Sequence, residues 1–115
     1  MRLLLVLLPL LPLLPLPALA LTPAAQEFMD ITARLEPVQC EKRQLRRKMA
    51  LATAEQRGAE LEKFRARFAE LNGDRDTARL EQRLAELEKR ISAARDPADL
   101  DAISLQQRQA FYRCD

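Results

Sequence analysis

The sequence predicts an all-α protein: an elongated antiparallel helical hairpin, coiled-coil-like, with a kinked second arm, a short N-terminal helix and one disulfide clasp. Three observations favour this fold. After its first 20 residues the chain is rich in Ala, Leu, Glu, Arg and Gln, which are strong helix formers. The same part contains no alternating run of β-branched or aromatic residues, so no strand is predicted. Its two cysteines lie far apart in sequence, where a bond between them would close the hairpin.

The first 20 residues have the pattern of a secretory signal peptide that is cleaved after Ala20. Arg2 precedes an apolar run over residues 3–16, and Ala18-Leu19-Ala20 provides the small residues of a cleavage site. The alternative, a retained membrane anchor, needs about 20 apolar residues in a regular helix. The four prolines of this segment disfavour such a helix. We therefore expect a mature protein that begins at Leu21, lacks a transmembrane segment and is periplasmic or secreted.

The mature chain is close to electrically neutral. Of the 19 basic residues only Arg2 leaves with the signal peptide, and all 17 acidic residues remain. This balance gives no general attraction to nucleic acid or to an anionic membrane, so any electrostatic function must be local. Export also separates the protein from most nucleic acid. We expect no nucleic-acid partner.

A short helix is predicted over residues 21–36. Thr22-Pro23 has the pattern of an N-cap followed by the first residue of a helix. Apolar residues then recur at the helical spacing of three and four: Phe28, Ile31 and Leu35. Pro37 disfavours a helical conformation in the residue before it, so we expect this helix to end there.

Residues 37–115 are predicted to form the hairpin itself. A second helix runs from Pro37 to Leu71, with Gly58 as its weakest point. Asn72-Gly73-Asp74 has the residue types of a chain reversal. A third helix over about residues 76–95 carries the four-three apolar repeat of a coiled-coil seam: Leu80, Leu84, Leu87, Ile91 and Ala94. This seam is also a candidate homodimer interface.

Cys40 and Cys114 are predicted to form one disulfide within the chain. An even number of cysteines in a small exported protein typically forms disulfides, and Cys-x-x-Cys redox spacing is absent. A bridge between two chains is the alternative. The two Cα atoms must lie within about 7 Å of each other. With a reversal at residues 72–74, this requires the fourth helix, from Pro97 to Arg113, to continue past a kink in the direction of the third.

The residue inventory argues against catalysis. The chain has no histidine, which is the commonest general base and metal ligand. Ser92 and Ser104 are its two serines, and both lie in helix-forming segments without a nucleophile elbow. Residues 72–76 lack the glycine and glutamate positions of a calcium loop. We expect a non-enzymatic protein without a cofactor or a metal.

One basic cluster is a candidate binding site. It contains five positive charges among seven residues: Lys42, Arg43, Arg46, Arg47 and Lys48. As a site, it would bind an anionic partner such as lipid A phosphates, an acidic polymer or an acidic protein segment. The alternative is a solvated helix face that balances acidic residues of the fourth helix. No aromatic residue interrupts the cluster, so stacking on single-stranded nucleic acid is not predicted.

Together these features predict an exported helical interaction protein, such as a periplasmic chaperone or adaptor that binds a protein partner through an apolar side of the hairpin. A structural protein that binds the envelope surface through the basic cluster is one alternative. An inhibitor of a secreted enzyme is another.

Overall fold

The computed structural model describes residues 20–114, and the protein forms four α-helices there with no strand. They are α1 (Pro23–Ala54), α2 (Gly58–Asn72), α3 (Arg75–Ala94) and α4 (Pro97–Arg113). The predicted all-α class is therefore confirmed. The predicted signal peptide, apart from Ala20, lies outside the described residues. Within residues 20–114, no helix has both the length and the apolarity that a membrane crossing requires.

Helix α1 is the spine of the molecule, with 32 residues and a length of about 48 Å. It starts as predicted, because the hydroxyl of Thr22 accepts a hydrogen bond of 3.3 Å from the backbone N–H of Ala25. The predicted helix end before Pro37 is wrong, since α1 continues through this residue. Proline has no N–H, so the carbonyl of Ala33 lacks the hydrogen bond that residue 37 would donate in a regular helix. Ala33 and Pro37 are both exposed, so water has access to this carbonyl. Packing along both halves of α1 offsets the cost of the proline, about 3 kcal/mol.

The chain first reverses at the hairpin tip, residues 55–57. Gln56 takes a left-handed conformation with φ of 55°, and the N–H of Arg57 donates to the carbonyl of Ala52 over 2.9 Å. Helix α2 then returns along the C-terminal half of α1, where Arg67 binds Glu41. The predicted long second helix is therefore wrong: it is split between α1 and α2, close to the expected weak point.

Helix α3 continues in the direction of α2 along the N-terminal half of α1. The predicted reversal at Asn72-Gly73-Asp74 is therefore wrong, and this segment only interrupts the helix. Asp74 caps α3 by accepting hydrogen bonds from the N–H and the hydroxyl of Thr77. Four residues of the predicted seam pack in the core formed with α1 and α4: Leu80, Leu84, Leu87 and Ile91. Ala94 is exposed. The seam is thus used within one chain.

The second reversal comes between α3 and α4. Arg95 adopts a left-handed conformation with φ of 50°, and Asp96 caps α4. Helix α4 then runs parallel to α1. Three side-chain contacts join residues with the same separation of 77 positions, which is the pattern of two parallel helices: Thr22 with Asp99, Met29 with Gln106, and Glu36 with Arg113. The predicted continuation of the fourth helix past a kink is wrong, and so is the kinked arm.

The predicted disulfide is confirmed. Cys40 and Cys114 are bonded, with their Cα atoms 5.5 Å apart. Because α1 starts at Pro23, Cys40 lies about 26 Å along it. Helix α4 starts beside the beginning of α1, and its 17 residues rise about 25 Å, so Cys114 reaches the same level. A reversed α4 therefore brings Cys114 close enough to Cys40 to form the disulfide.

The core lies in the half of the molecule where α1, α3 and α4 meet. Its buried residues come from all three helices: Ala25, Phe28, Ile31, Leu35, Leu87, Ile91 and Ile103. Toward the hairpin tip only α1 and α2 pack together. There α1 buries Leu45 and Ala52, whereas α2 buries none of its residues. The fold is thus a three-helix bundle at one end and a two-helix hairpin at the other.

Three arginine–glutamate clamps join α1 to each of the other helices. In each clamp two guanidinium nitrogens donate to the two oxygens of one carboxylate, over 2.6 to 3.0 Å. The pairs are Glu27 with Arg83 of α3, Glu36 with Arg113 of α4, and Glu41 with Arg67 of α2. Hydrogen bonds from the arginine lower the pKa of each glutamate below its usual value.

The clamps predict a loss of stability in acid. Because the pKa values of the three glutamates are lower in the folded chain than in the unfolded chain, unfolding takes up protons in acid. The stabilisation is complete above about pH 5, clear of the ordinary glutamate pKa, and is lost as pH falls through the lowered folded values. We expect the urea midpoint to fall less steeply with acid in a variant with glutamine at the three positions. Equal acid dependence in both proteins would contradict this.

Candidate functional site

The five basic residues predicted as one binding cluster are distributed around α1, because successive helical residues point about 100° apart. Lys42 is buried, and its Nζ lies 3.5 Å from Oε1 of Glu81 on α3. Arg43 is directed toward α4, with its guanidinium carbon 4.9 Å from the centre of the Phe111 ring. Two of the five charges therefore have structural contacts with different helices.

The other three basic residues of the cluster are exposed. Arg46 lies over the ring of Phe68 at 5.5 Å, and Lys48 lies over the ring of Phe64 at 5.8 Å. These cation–π contacts hold α2 against α1. Arg47 lies between them in sequence. An anionic partner can reach these three side chains, so such binding stays a prediction for them.

Two exposed aromatic rings form the most unusual surface of the described chain. Phe111 is 57% exposed and Tyr112 is 79% exposed. Their rings meet edge to face, with centroids 5.7 Å apart. Together with Arg43 they form what we call the aromatic surface. Tyr, Phe and Arg are the residue types enriched in protein interfaces, and such rings expose apolar area that a partner can cover.

A groove between α1 and α4 adjoins the aromatic surface. Its volume is about 290 Å³, and both cysteines of the disulfide line it. Two further lining residues carry buried polar atoms without a hydrogen-bond partner, the hydroxyl of Thr32 and Nη1 of Arg43. A buried donor without a partner is costly. Arg43 lines the groove, so an acceptor group of a ligand there has a guanidinium group beside it.

The local charges leave the groove with a cationic end. Glu36 also lines the groove, but its carboxylate is bound by Arg113 at 2.8 and 2.9 Å. The same contact raises the pKa of Arg113 and lowers that of Glu36, so both groups stay charged near neutral pH. This pair is neutral overall. The charge of Arg43 is therefore available to an anionic or polar group at the end of the groove.

A second cavity lies between α3 and α4, with Phe28 of α1 also in its lining. Its volume is about 230 Å³, and it is lined by both serines of the chain and by Glu88 and Gln107. Among residues 20–114 there is no group of three or more side chains arranged to hold a metal ion.

The sequence analysis did not identify the aromatic surface as a site. The apolar residues of the fourth helix, Phe111 among them, share one face in the sequence pattern, and Tyr112 was assigned no function. Adjacent residues of a helix point in directions about 100° apart, so both members of a Phe-Tyr pair cannot lie on one narrow buried stripe. This was a usable signal for an exposed ring. The involvement of Arg43 depended on the path of α4, which the sequence did not reveal.

Comparisons of this chain with protein-family models, with curated proteins and with solved structures give no match.

Lys42 and Arg47 provide a test of the divided cluster. We expect Lys42→Gln to lower the free energy of unfolding by about 1–3 kcal/mol, because it removes a buried contact between α1 and α3 and leaves Glu81 with the hydrogen bond from Gln39 alone. The same change at exposed Arg47 should alter it by no more than about 0.5 kcal/mol. Urea unfolding of both variants measures the difference. Equal effects at the two positions would show that Lys42 has no structural function.

Proposed function

We propose that this chain is an exported, non-enzymatic interaction protein that binds a protein partner at the aromatic surface, as a periplasmic chaperone or adaptor. The observation that carries the proposal is the pair of exposed rings, Phe111 and Tyr112, beside a buried arginine nitrogen without a partner. Aromatic and arginine side chains contribute most of the binding energy in many interfaces.

The aromatic surface is held in place before a partner arrives. Cys114 follows it within two residues and is bonded to the middle of α1, and Arg113 is bound to Glu36 by two hydrogen bonds. A helix end held in this way loses little conformational freedom on binding, so less binding energy is spent on ordering it. This rigidity supports a binding function for the rings.

The site favours a partner segment with two chemical features. An apolar side chain would fill the groove beside the disulfide, and a carboxylate or carbonyl oxygen would accept a hydrogen bond from the guanidinium group of Arg43. Charge-assisted hydrogen bonds of this type are stronger than neutral ones. Export is supported by the disulfide, because such bonds persist in oxidising compartments, and by the pattern of residues 1–20.

A second candidate function is binding to an anionic envelope surface. It is favoured by the exposure of Arg46, Arg47 and Lys48 on the C-terminal half of α1. Exposed charges are screened beyond about 8 Å at physiological ionic strength, so this interaction would weaken as salt is added. The aromatic surface would contribute little to it.

Serine substitution of both rings tests the proposed function. We expect a Phe111→Ser/Tyr112→Ser variant to capture the partner from envelope extract at least about tenfold less than the unmodified mature protein, as quantified by mass spectrometry. Leu51→Ser is the matched control, because Leu51 is 53% exposed near the hairpin tip and belongs to no part of the site. Its capture should be unchanged.

Two results would contradict the proposal. The first is equal capture by the ring variant and the control. The second is a loss of capture that follows added salt or glutamine at the three exposed basic positions, with no effect of the ring variant. The second result would favour binding to an anionic surface.

A further inference from the structure

Asp99 is a buried acid at the place where α1 and α4 begin side by side. It is 1% exposed. Its Oδ1 accepts a hydrogen bond of 3.1 Å from the backbone N–H of Thr22, and its Oδ2 accepts one of 2.5 Å from the Thr22 hydroxyl. That hydroxyl also accepts from the N–H of Ala25 and so caps α1. A carboxylate oxygen can accept more than one hydrogen bond, so two contacts leave capacity for another donor.

The donors that reach this carboxylate in the described part of the chain are neutral. The positive ends of α1 and α4 favour its negative charge, but no lysine or arginine among residues 20–114 forms an ion pair with it. Asp96 adds a second acid nearby, as the cap of α4. A buried acid in this position is suited to a cation.

The start of the predicted mature chain lies next to Asp99. Leu21 is half-buried and packs against the core, whereas Ala20 is exposed. Hydrolysis of the peptide bond between them consumes one water molecule and leaves a carboxylate on Ala20 and an ammonium group on Leu21. Covalent geometry places that nitrogen about 3 to 4 Å from the backbone nitrogen of Thr22, which is itself bonded to Asp99.

We propose that Asp99 is the binding site for the α-ammonium group that cleavage after Ala20 creates on Leu21. The inference rests on the proposed export. In the uncleaved chain the same nitrogen is a neutral amide. A positive charge just before a helix is unfavourable by itself, because the N-terminal end of the helix is positive. The carboxylate of Asp99 reverses this effect, so cleavage adds an ion pair that joins the start of α1 to the start of α4.

Four forms of the disulfide-bonded mature chain test this site. The chain that begins at Leu21 is prepared with a free or an acetylated amine, each with Asp99 or with Asp99→Asn, and unfolded in urea. Acetylation should raise the unfolding equilibrium constant of the Asp99 protein by about fivefold and leave that of the Asp99→Asn protein unchanged or lower. Asp101→Asn, with an exposed carboxylate on the same helix, should retain the fivefold effect.

A second measurement needs no substitution. The amine of Leu21 in the folded protein, followed by nuclear magnetic resonance, should titrate above the range of about 7.7–8.0 that is usual for a chain start, with Asp96 and Asp99 as the acids that favour its charged form. The proposal would be overturned if acetylation changed the unfolding equilibrium constant equally in the Asp99 and the Asp99→Asn proteins. It would also be overturned if the Leu21 amine titrated in the range that is usual for a chain start. A natural N-terminus other than Leu21, found by mass spectrometry, would contradict the proposed cleavage whatever these experiments show.

Discussion

The bond between Cys40 and Cys114 is the constraint on which the rest of the structure depends. It joins the middle of the longest helix to the end of the last one, across 74 positions of sequence. Helix α4 contributes few residues to the core, chiefly Ile103, so burial alone holds it weakly. A closed loop of this size reduces the entropy of the unfolded chain by the equivalent of about 4.5 kcal/mol. The same bond holds the aromatic surface and lines the groove beside it.

The sequence predicted the all-α class and the cysteine pair, but it placed the first helix break at Pro37 instead of at residues 55–57, and it did not predict the direction of the chain at the later breaks. Residues 72–74 and 95–97 both contain turn-forming residues. After the first of these breaks the chain continues in the same direction along α1, and after the second it reverses. Local residue types indicate where a helix stops, whereas packing decides where the next one goes. The continuation of α1 through Pro37 has the same origin, because contacts along both halves of α1 outweigh a local preference.

The candidate site was predictable only in part, for a related reason. A run of basic residues is visible in the sequence, but its division among three neighbouring helices depends on which face of α1 each helix covers. Lys42 is buried against α3, although lysine is rarely buried. Phe111 is exposed, although Ile103 of the same helix is buried in the core. The partners of Asp99 depended on the path of α4, since α1 and α4 start together only if α4 reverses.

The most direct test of this account is a distance across the second reversal. Glu88 and Gln107 line the same cavity between α3 and α4, and neighbouring helices lie about 8–10 Å apart. Nitroxide labels on Glu88→Cys and Gln107→Cys, with the native disulfide intact, should therefore show strong dipolar broadening and a separation below about 20 Å. If α4 instead continued in the direction of α3, the 19 positions between the labels would separate them by about 28 Å. That longer distance would contradict the account.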